Sequence, residues 1–310
     1  MQKEQVYTDE WARFGPWIDP VETPEDVPRL FRDHPLDLDA ARLVLKVPRD
    51  IAHRDAKPGM DLYDHLVVVN DDAVTVLTRR GAEGGHADIT HGYSEDRIAL
   101  DDLVAIHDSV NLLHGRVALH ARDGQVISMR HSGSPRGGVG RLVEELRPEF
   151  QAREPGMWGA SVLEATRGRE VDLAAVEQGI ASELQELRAV HREVKAWACH
   201  GRRRLWPDAS GLDGAVVRMR HVLSPVRLSG GILAGDDRVL ELLGRHAWLI
   251  QGTTPTLSSS RLTMPLAAVD GVESAPHPLY PDAVNLTIVA GRCRLPLVVP
   301  RDASMVGLIS

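Results

Sequence analysis

The sequence predicts an α+β, β-rich protein: two related modules joined by a helical connector. Three observations carry this. First, the chain repeats itself: Arg97-Ile98-Ala99-Leu100 followed by Leu103-Val104 reappears as Arg261-Leu262-Thr263-Met264 followed by Ala268-Val269, and each phrase leads on to an alternating apolar ribbon, Gly115–His120 in one and Ala283–Ile288 in the other. A repeat at this spacing is the signature of duplicated supersecondary units. Second, short apolar runs are separated by turn residues, as in antiparallel sheets. Third, sustained helical spacing occurs only after the first module's strands and between the modules.

In chain order, residues 1–40 form an arm that combines Pro16, Pro20, Pro24, Pro28 and Pro35 with Trp11, Phe14, Trp17 and Phe31. Prolines this frequent allow only short helices, one capped by Thr23 with Pro24 in its first turn and another around Arg29–Arg32. The aromatics are expected to bury against the first module or, alternatively, to dock on a second subunit. The first module, 41–150, has strands at Leu43–Val47, Leu66–Val69 and Val74–Leu77, the last two joined by the hairpin turn Asn70-Asp71-Asp72. Further strands follow at Arg97–Leu100, Leu103–Ile106, Arg116–His120 and Val126–Met129, the last pair turning at Asp123-Gly124, and a helix closes the module around Gly140–Leu146. A helical connector, 151–214, carries an apolar stripe at Val176, Ile180, Leu184, Leu187, Val194 and Trp197. The second module, 215–310, is expected to run through Ala247–Ile250, Thr256–Ser258, Arg261–Met264, Ala283–Val289 and Arg292–Val299 to a short closing helix, with its first hairpin at Gln251-Gly252-Thr253-Thr254.

Several short antiparallel strands closed by one amphipathic helix resemble the bacterial pleckstrin-homology-like superfamily, GRAM-like domains included. The resemblance covers about residues 41 to 150 and, more distantly, 215 to 310, and rests on the order of elements and on Leu66–Asp71 leading to Arg97–Leu103. It implies two PH-like bent antiparallel sheets, each plugged by its C-terminal helix. Phosphoinositide-binding members place basic residues in the first hairpin loop. Here that loop reads Asn70-Asp71-Asp72, which argues against headgroup binding.

Composition bounds the function. The chain has 310 residues, 43% of them hydrophobic and 26% charged, enough for two folded modules and unlike a disordered chain. Thirty-six basic against 44 acidic residues leave a net charge of −8, poor electrostatics for a nucleic-acid partner. Cys199 and Cys293 make no framework and no Cys-x-x-Cys motif, which with the polar start of the chain and the absence of a long apolar run points to the cytoplasm and excludes an integral membrane protein.

Candidate chemistry is sparse. His86, Asp88 and His91 cluster in a glycine-flanked loop and could ligate a divalent ion, which needs three or four such ligands converging, although the sequence supplies no fixed further partner. Gly133–Gly140 precedes a helix but lacks the Gly-Lys-Ser/Thr ending of a phosphate-binding loop. Arg202, Arg203 and Arg204 beside Trp206 form the concentrated basic patch, suited to an anionic partner by charge and to stacking by its indole. With Trp11 and Trp17 of the arm, these are the expected partner- or anion-binding residues. No catalytic residue and no cofactor are expected. The sequence therefore reads as a non-enzymatic scaffold that binds a protein partner or a second copy of itself. A metal-dependent hydrolase built on the His86 loop and a peripheral membrane protein attached through the arm and the arginines are the alternatives.

Overall fold

The computed structural model describes residues 10–57, 59–81, 92–132, 137–208, 223–252 and 258–309. The chain is β-rich, with several antiparallel sheets and few helices. Its elements group into two compact units: one takes residues 1–103, 113–119 and 126–148, the other 104–112, 120–125 and 149–310.

In the first unit, β1 (Asp19–Pro20), β2 (Leu43–Pro48), β3 (Tyr63–Val69), β4 (Ala73–Arg79) and β5 (Tyr93–Ala99) pair in sequence order as one antiparallel sheet. The β3–β4 hairpin turns at Asn70-Asp71-Asp72, where the Asn70 N–H donates to the Ala73 carbonyl at 2.9 Å. β3 and β4 are almost wholly buried on both faces. The arm supplies part of what covers them. Short 3₁₀ turns at Pro24–Asp26, capped through Thr23, and at Arg29–Phe31 hold Phe14 and Phe31 in a core with Val44, Tyr63, Leu66, Val68 and Leu77. Phe31 meets Tyr93 edge-on at 5.5 Å, so the arm is bound to its own module. After a 3₁₀ turn at Leu100–Asp102 come β6 (Leu103–Asn111), which from Val104 onward is counted in the second unit, then β7 (His114–Ala121), β8 (Val126–Ser132) and α1 (Gly137–Gln151). α1 buries Val139, Leu142, Val143, Leu146 and Phe150, spaced one helical face apart.

The second unit contains α2 (Met157–Thr166), α3 (Gln178–Val190), β9 (Lys195–His200), β10 (Arg203–Leu205), β11 (Val226–Leu228), β12 (Gly231–Gly235), β13 (Val239–Gly244), β14 (Leu249–Gln251), β15 (Ser258–Pro265), β16 (Gly271–Pro276), β17 (Ala283–Ala290), β18 (Cys293–Pro300) and α4 (Ser304–Ile309). β9, β12, β13 and β15 pair in that order, and β16, β17 and β18 form a separate antiparallel sheet. Leu286, Ile288, Leu297 and Val299 of that sheet share a core with Leu233, Leu240, Met264 and the α4 residues Met305 and Ile309.

The repeat is present in the element order and extends to single hydrogen bonds. β12 and β13 turn at Asp236-Asp237-Arg238 as β3 and β4 turn at Asn70-Asp71-Asp72, with the Asp236 N–H on the Val239 carbonyl at 3.0 Å. The Leu100 N–H donates to the Asp72 carbonyl at 2.8 Å, and the Leu266 N–H donates to the Arg238 carbonyl at the same distance. A 3₁₀ turn at Leu266–Ala268 then answers the one at Leu100–Asp102. One offset along the chain relates all these positions, so β15 is the counterpart of β5 and β16 of β6.

Three expectations are corrected. The repeated phrases align with Leu100 on Leu266, so Arg97 matches Thr263 and not Arg261: the 3₁₀ turn fixes the register, whereas matching by residue type slipped it by two positions. The second module's counterpart hairpin is β12–β13, not Gln251–Thr254. Its strands are buried on both faces and show no alternation to read. The expected connector over 151–214 is not uniformly helical. α3 buries Ile180, Leu184 and Leu187, but the helix ends at Val190, and Trp197 lies in β9, paired with β12. Steps of three and four residues continue by coincidence into a strand whose Ala196, Trp197 and Ala198 are all buried.

Candidate functional site

The predicted basic patch lies on the small antiparallel sheet β10-β11-β14. Its inward residues Leu205, Val226 and Leu228 are buried with Tyr280 and Ala283. Period-two alternation then turns Arg204, its cross-strand partner Arg227 and the next partner, Ile250, to the opposite face. Two guanidinium groups directly opposite one another repel. Arg204 stacks over the Trp206 ring with its guanidinium carbon 4.2 Å from the centroid, while Trp206 itself is 45% exposed. Arg203 points the other way, and its Nη1 donates to Asp302 Oδ1 at 2.5 Å, which holds that carboxyl below the usual range. Arg202 is exposed just before the strand. Of the predicted cluster, Arg204 and Trp206 thus share a face, Arg203 anchors the sheet, and Arg227 joins through a pairing across the chain that no local pattern signals. Such a face can hold an anion against cations and an aromatic plane.

The two arm tryptophans part company. Trp11 Nε1 donates to the Ala56 carbonyl at 3.1 Å and its ring lies 5.4 Å from His53, so it ties the arm down. Trp17 is 44% exposed. A cavity of about 340 Å³ between arm and sheet is lined by Glu10, Arg13, Asp26, Lys46 and Tyr63, a mixture of signs. Burial pushes the Glu10 carboxyl up, although Glu10 Oε2 accepts the Arg29 N–H at 3.0 Å. Burial, followed by the Glu10 charge, pushes the Tyr63 phenol up as well. His86, Asp88 and His91 lie outside the described residues. Among the described residues no cluster of three or more His, Cys, Asp or Glu is placed to hold a metal ion.

A third feature has no local sequence signal: the edge of β5. β5 ends its sheet, with β4 on one side and no further strand on the other among the described residues. Ser94, Glu95 and Arg97 are exposed along it, and Ser94 and Asp96 line a cleft of about 290 Å³ with Thr78, Arg79, Val126 and Ser128. In the second unit, by contrast, the same edge of β15 is occupied. β6 from Val104 onward belongs to that unit and pairs antiparallel with β15, Ser259 opposite Val110, Arg261 opposite Asp108 and Thr263 opposite Ile106.

No family model matches the chain, and no curated protein or solved structure is found similar to it. Among the described residues no helix is long and apolar enough to cross a membrane.

Proposed function

We propose that the chain is a non-enzymatic binding or scaffold protein in which two PH-like modules serve protein–protein or self-assembly contacts. One observation carries this reading: β6, an element of the first repeat, completes the sheet of the second by edge-to-edge pairing, so association through strand edges is already how this molecule is built. The four-strand, three-strand and helix order of each repeat supports the PH-like assignment. The basic, tryptophan-bearing face around Arg204 and the exposed Trp17 offer further contact surface.

The test is affinity capture from the native organism's lysate with the full chain, combined with its solution mass across concentration. A stoichiometric protein recovered repeatedly, or a defined homo-oligomer, is the expected result. A monomer that retains no protein in any lysate overturns the proposal.

A further inference from the structure

We infer that the edge of β5, which no strand of the described residues covers, is a strand-acceptor site that binds an extended, antiparallel segment of a partner protein carrying a lysine or arginine opposite Glu95. The inference rests on the binding function proposed above and names where and what the chain would bind.

In an antiparallel pair, residues alternate between those that exchange hydrogen bonds with their partner and those that do not. The Leu100 N–H bonds to the Asp72 carbonyl at 2.8 Å and the Arg80 N–H to the Gly92 carbonyl at 3.0 Å. Those two bonds fix the alternation along β5: Ser94, Asp96 and Ile98 bond to β4, and Tyr93, Glu95 and Arg97 turn their N–H and C=O groups away from it. The Leu266–Arg238 bond likewise sets the alternation in β15, where the N–H and C=O groups of Ser259, Arg261 and Thr263 turn away from β13. These three are the residues opposite Val110, Asp108 and Ile106 of β6. The repeat therefore presents one row of donors and acceptors twice. In β15 the row is filled. In β5 no strand of the described residues fills it.

The filled copy dictates register and chemistry for the open one. A strand laid on β5 as β6 lies on β15 sets its Ile106-like position against Arg97, its His107-like position against Asp96 and its Asp108-like position against Glu95. In β15 the residue at the Glu95 position is Arg261, opposite Asp108. Glu95 reverses that sign, so a strand suited to β5 carries a cation where β6 carries Asp108. The half-buried Asp96 beside it, on the opposite face of the strand, adds a second charge that a strand without a cation would desolvate uncompensated, a charge of the kind that guards edges against indiscriminate pairing.

A second copy of this chain is the poorer occupant. Its β16 is the counterpart of β6 and ends its own sheet, but the same register would set Glu273 against Asp96 and Pro276 at the Val110 position. Pro276 has no N–H to donate there, and the two carboxylates repel.

The probe is a synthetic peptide of residues 104–111 and its Asp108→Lys form, titrated into the full chain and followed by amide hydrogen exchange. The Asp108→Lys peptide should bind about tenfold or more tighter than the native-sequence peptide and slow exchange at Tyr93, Glu95 and Arg97, a difference of about 1.4 kcal/mol. Glu95→Lys in the protein should reverse the preference. Glu95→Pro should abolish binding of both peptides while leaving the melting temperature unchanged, since it removes an outward N–H only. Binding that survives Glu95→Pro, or no binding of the Asp108→Lys peptide at about 1 mM, a −4.1 kcal/mol threshold, overturns the inference. Self-association that Glu95→Pro dissolves overturns the choice of occupant. A lysate partner retained by the Glu95→Pro chain leaves the general binding function standing while this site falls.

Discussion

β5 and β15 occupy the same place in the two repeats and meet opposite circumstances. β15 lies between β13 and β6, buries Leu262, Thr263 and Met264, and carries Arg261, whose Nε and Nη2 donate to the two Glu241 oxygens at 2.9 Å each. β5 is held by β4 alone among the described residues, buries only Ile98, and carries exposed Glu95 at the Arg261 position. The same backbone plan is thus a structural joint in one copy and an unspent edge in the other. What differs is the side chains that either accept burial or resist it. The shared backbone plan supplies the geometry, and the difference in charge decides its use.

The sharpest way to break this contrast is to substitute both positions. Arg261→Ala removes both guanidinium hydrogen bonds from the fully buried Glu241 carboxylate, which the Thr263 hydroxyl also meets at 2.8 Å, and should cost about 3 kcal/mol in urea unfolding, the lower end for breaking a buried pair. Glu95→Ala should fall within about 0.5 kcal/mol of the native chain, as exposed substitutions do. Equal losses would erase the asymmetry.

Prolines probe the backbone rather than the side chains. Ser259→Pro removes a ladder N–H facing β6 and should cost about 3 kcal/mol, whereas Glu95→Pro should be close to neutral. A large loss at Glu95 would mean that its edge is already paired.

Two buried histidines, one in each repeat, are held neutral by their surroundings and should behave alike. His65 of β3 is held down to about 4 by burial and then by the Arg79 cation, and His200 of β9 to about 4 by burial. Both folded values lie below the ordinary value of about 6.5, so the unfolded chain binds more protons between those limits and stability falls as pH drops from about 6.5 toward 4. The ceiling is about 1.4 kcal/mol per pH unit for each group. Unfolding midpoints measured between pH 7 and pH 5 should fall accordingly, and His65→Gln should remove roughly half of the slope. A flat profile would show that neither imidazole is neutral and buried.

The smallest effect belongs to the basic sheet. Arg203→Ala loses an exposed ion pair with Asp302 and should change stability by less than about 1 kcal/mol. Arg204→Ala and Arg227→Ala should leave the fold intact. A weakened association with any anionic partner after either change would assign that face a binding role.

Much of the fold was legible. The first repeat's strands alternate or are bounded by strong turns, and Asn70-Asp71-Asp72 and Asp123-Gly124 sit where hairpins turn. The arm's short turns followed from Thr23-Pro24, and burial of Phe14 and Phe31 from their size. The second repeat was less legible because Gly231–Gly235 and Val239–Gly244 are buried throughout and carry no period. The candidate sites were half legible. Arg202, Arg203, Arg204 and Trp206 could be found as a run of residue types, but which of them share a face depended on pairing with β11. The β5 edge could not be found at all, since an edge is defined by the strand that is not beside it.

By itself, then, the sequence determined that this chain is β-rich, duplicated and acidic, with an aromatic arm and one basic cluster. These properties reside in composition, local turn chemistry and short-range period. The tertiary structure alone decided the register of the repeat, the replacement of the helix's expected end by β9, and the pairing of β6 with β15 in place of an open edge. Each of these is a choice among backbone partners far apart in the chain. Backbone hydrogen-bonding groups are the same at every residue, so only the packing of distant side chains selects which strands meet.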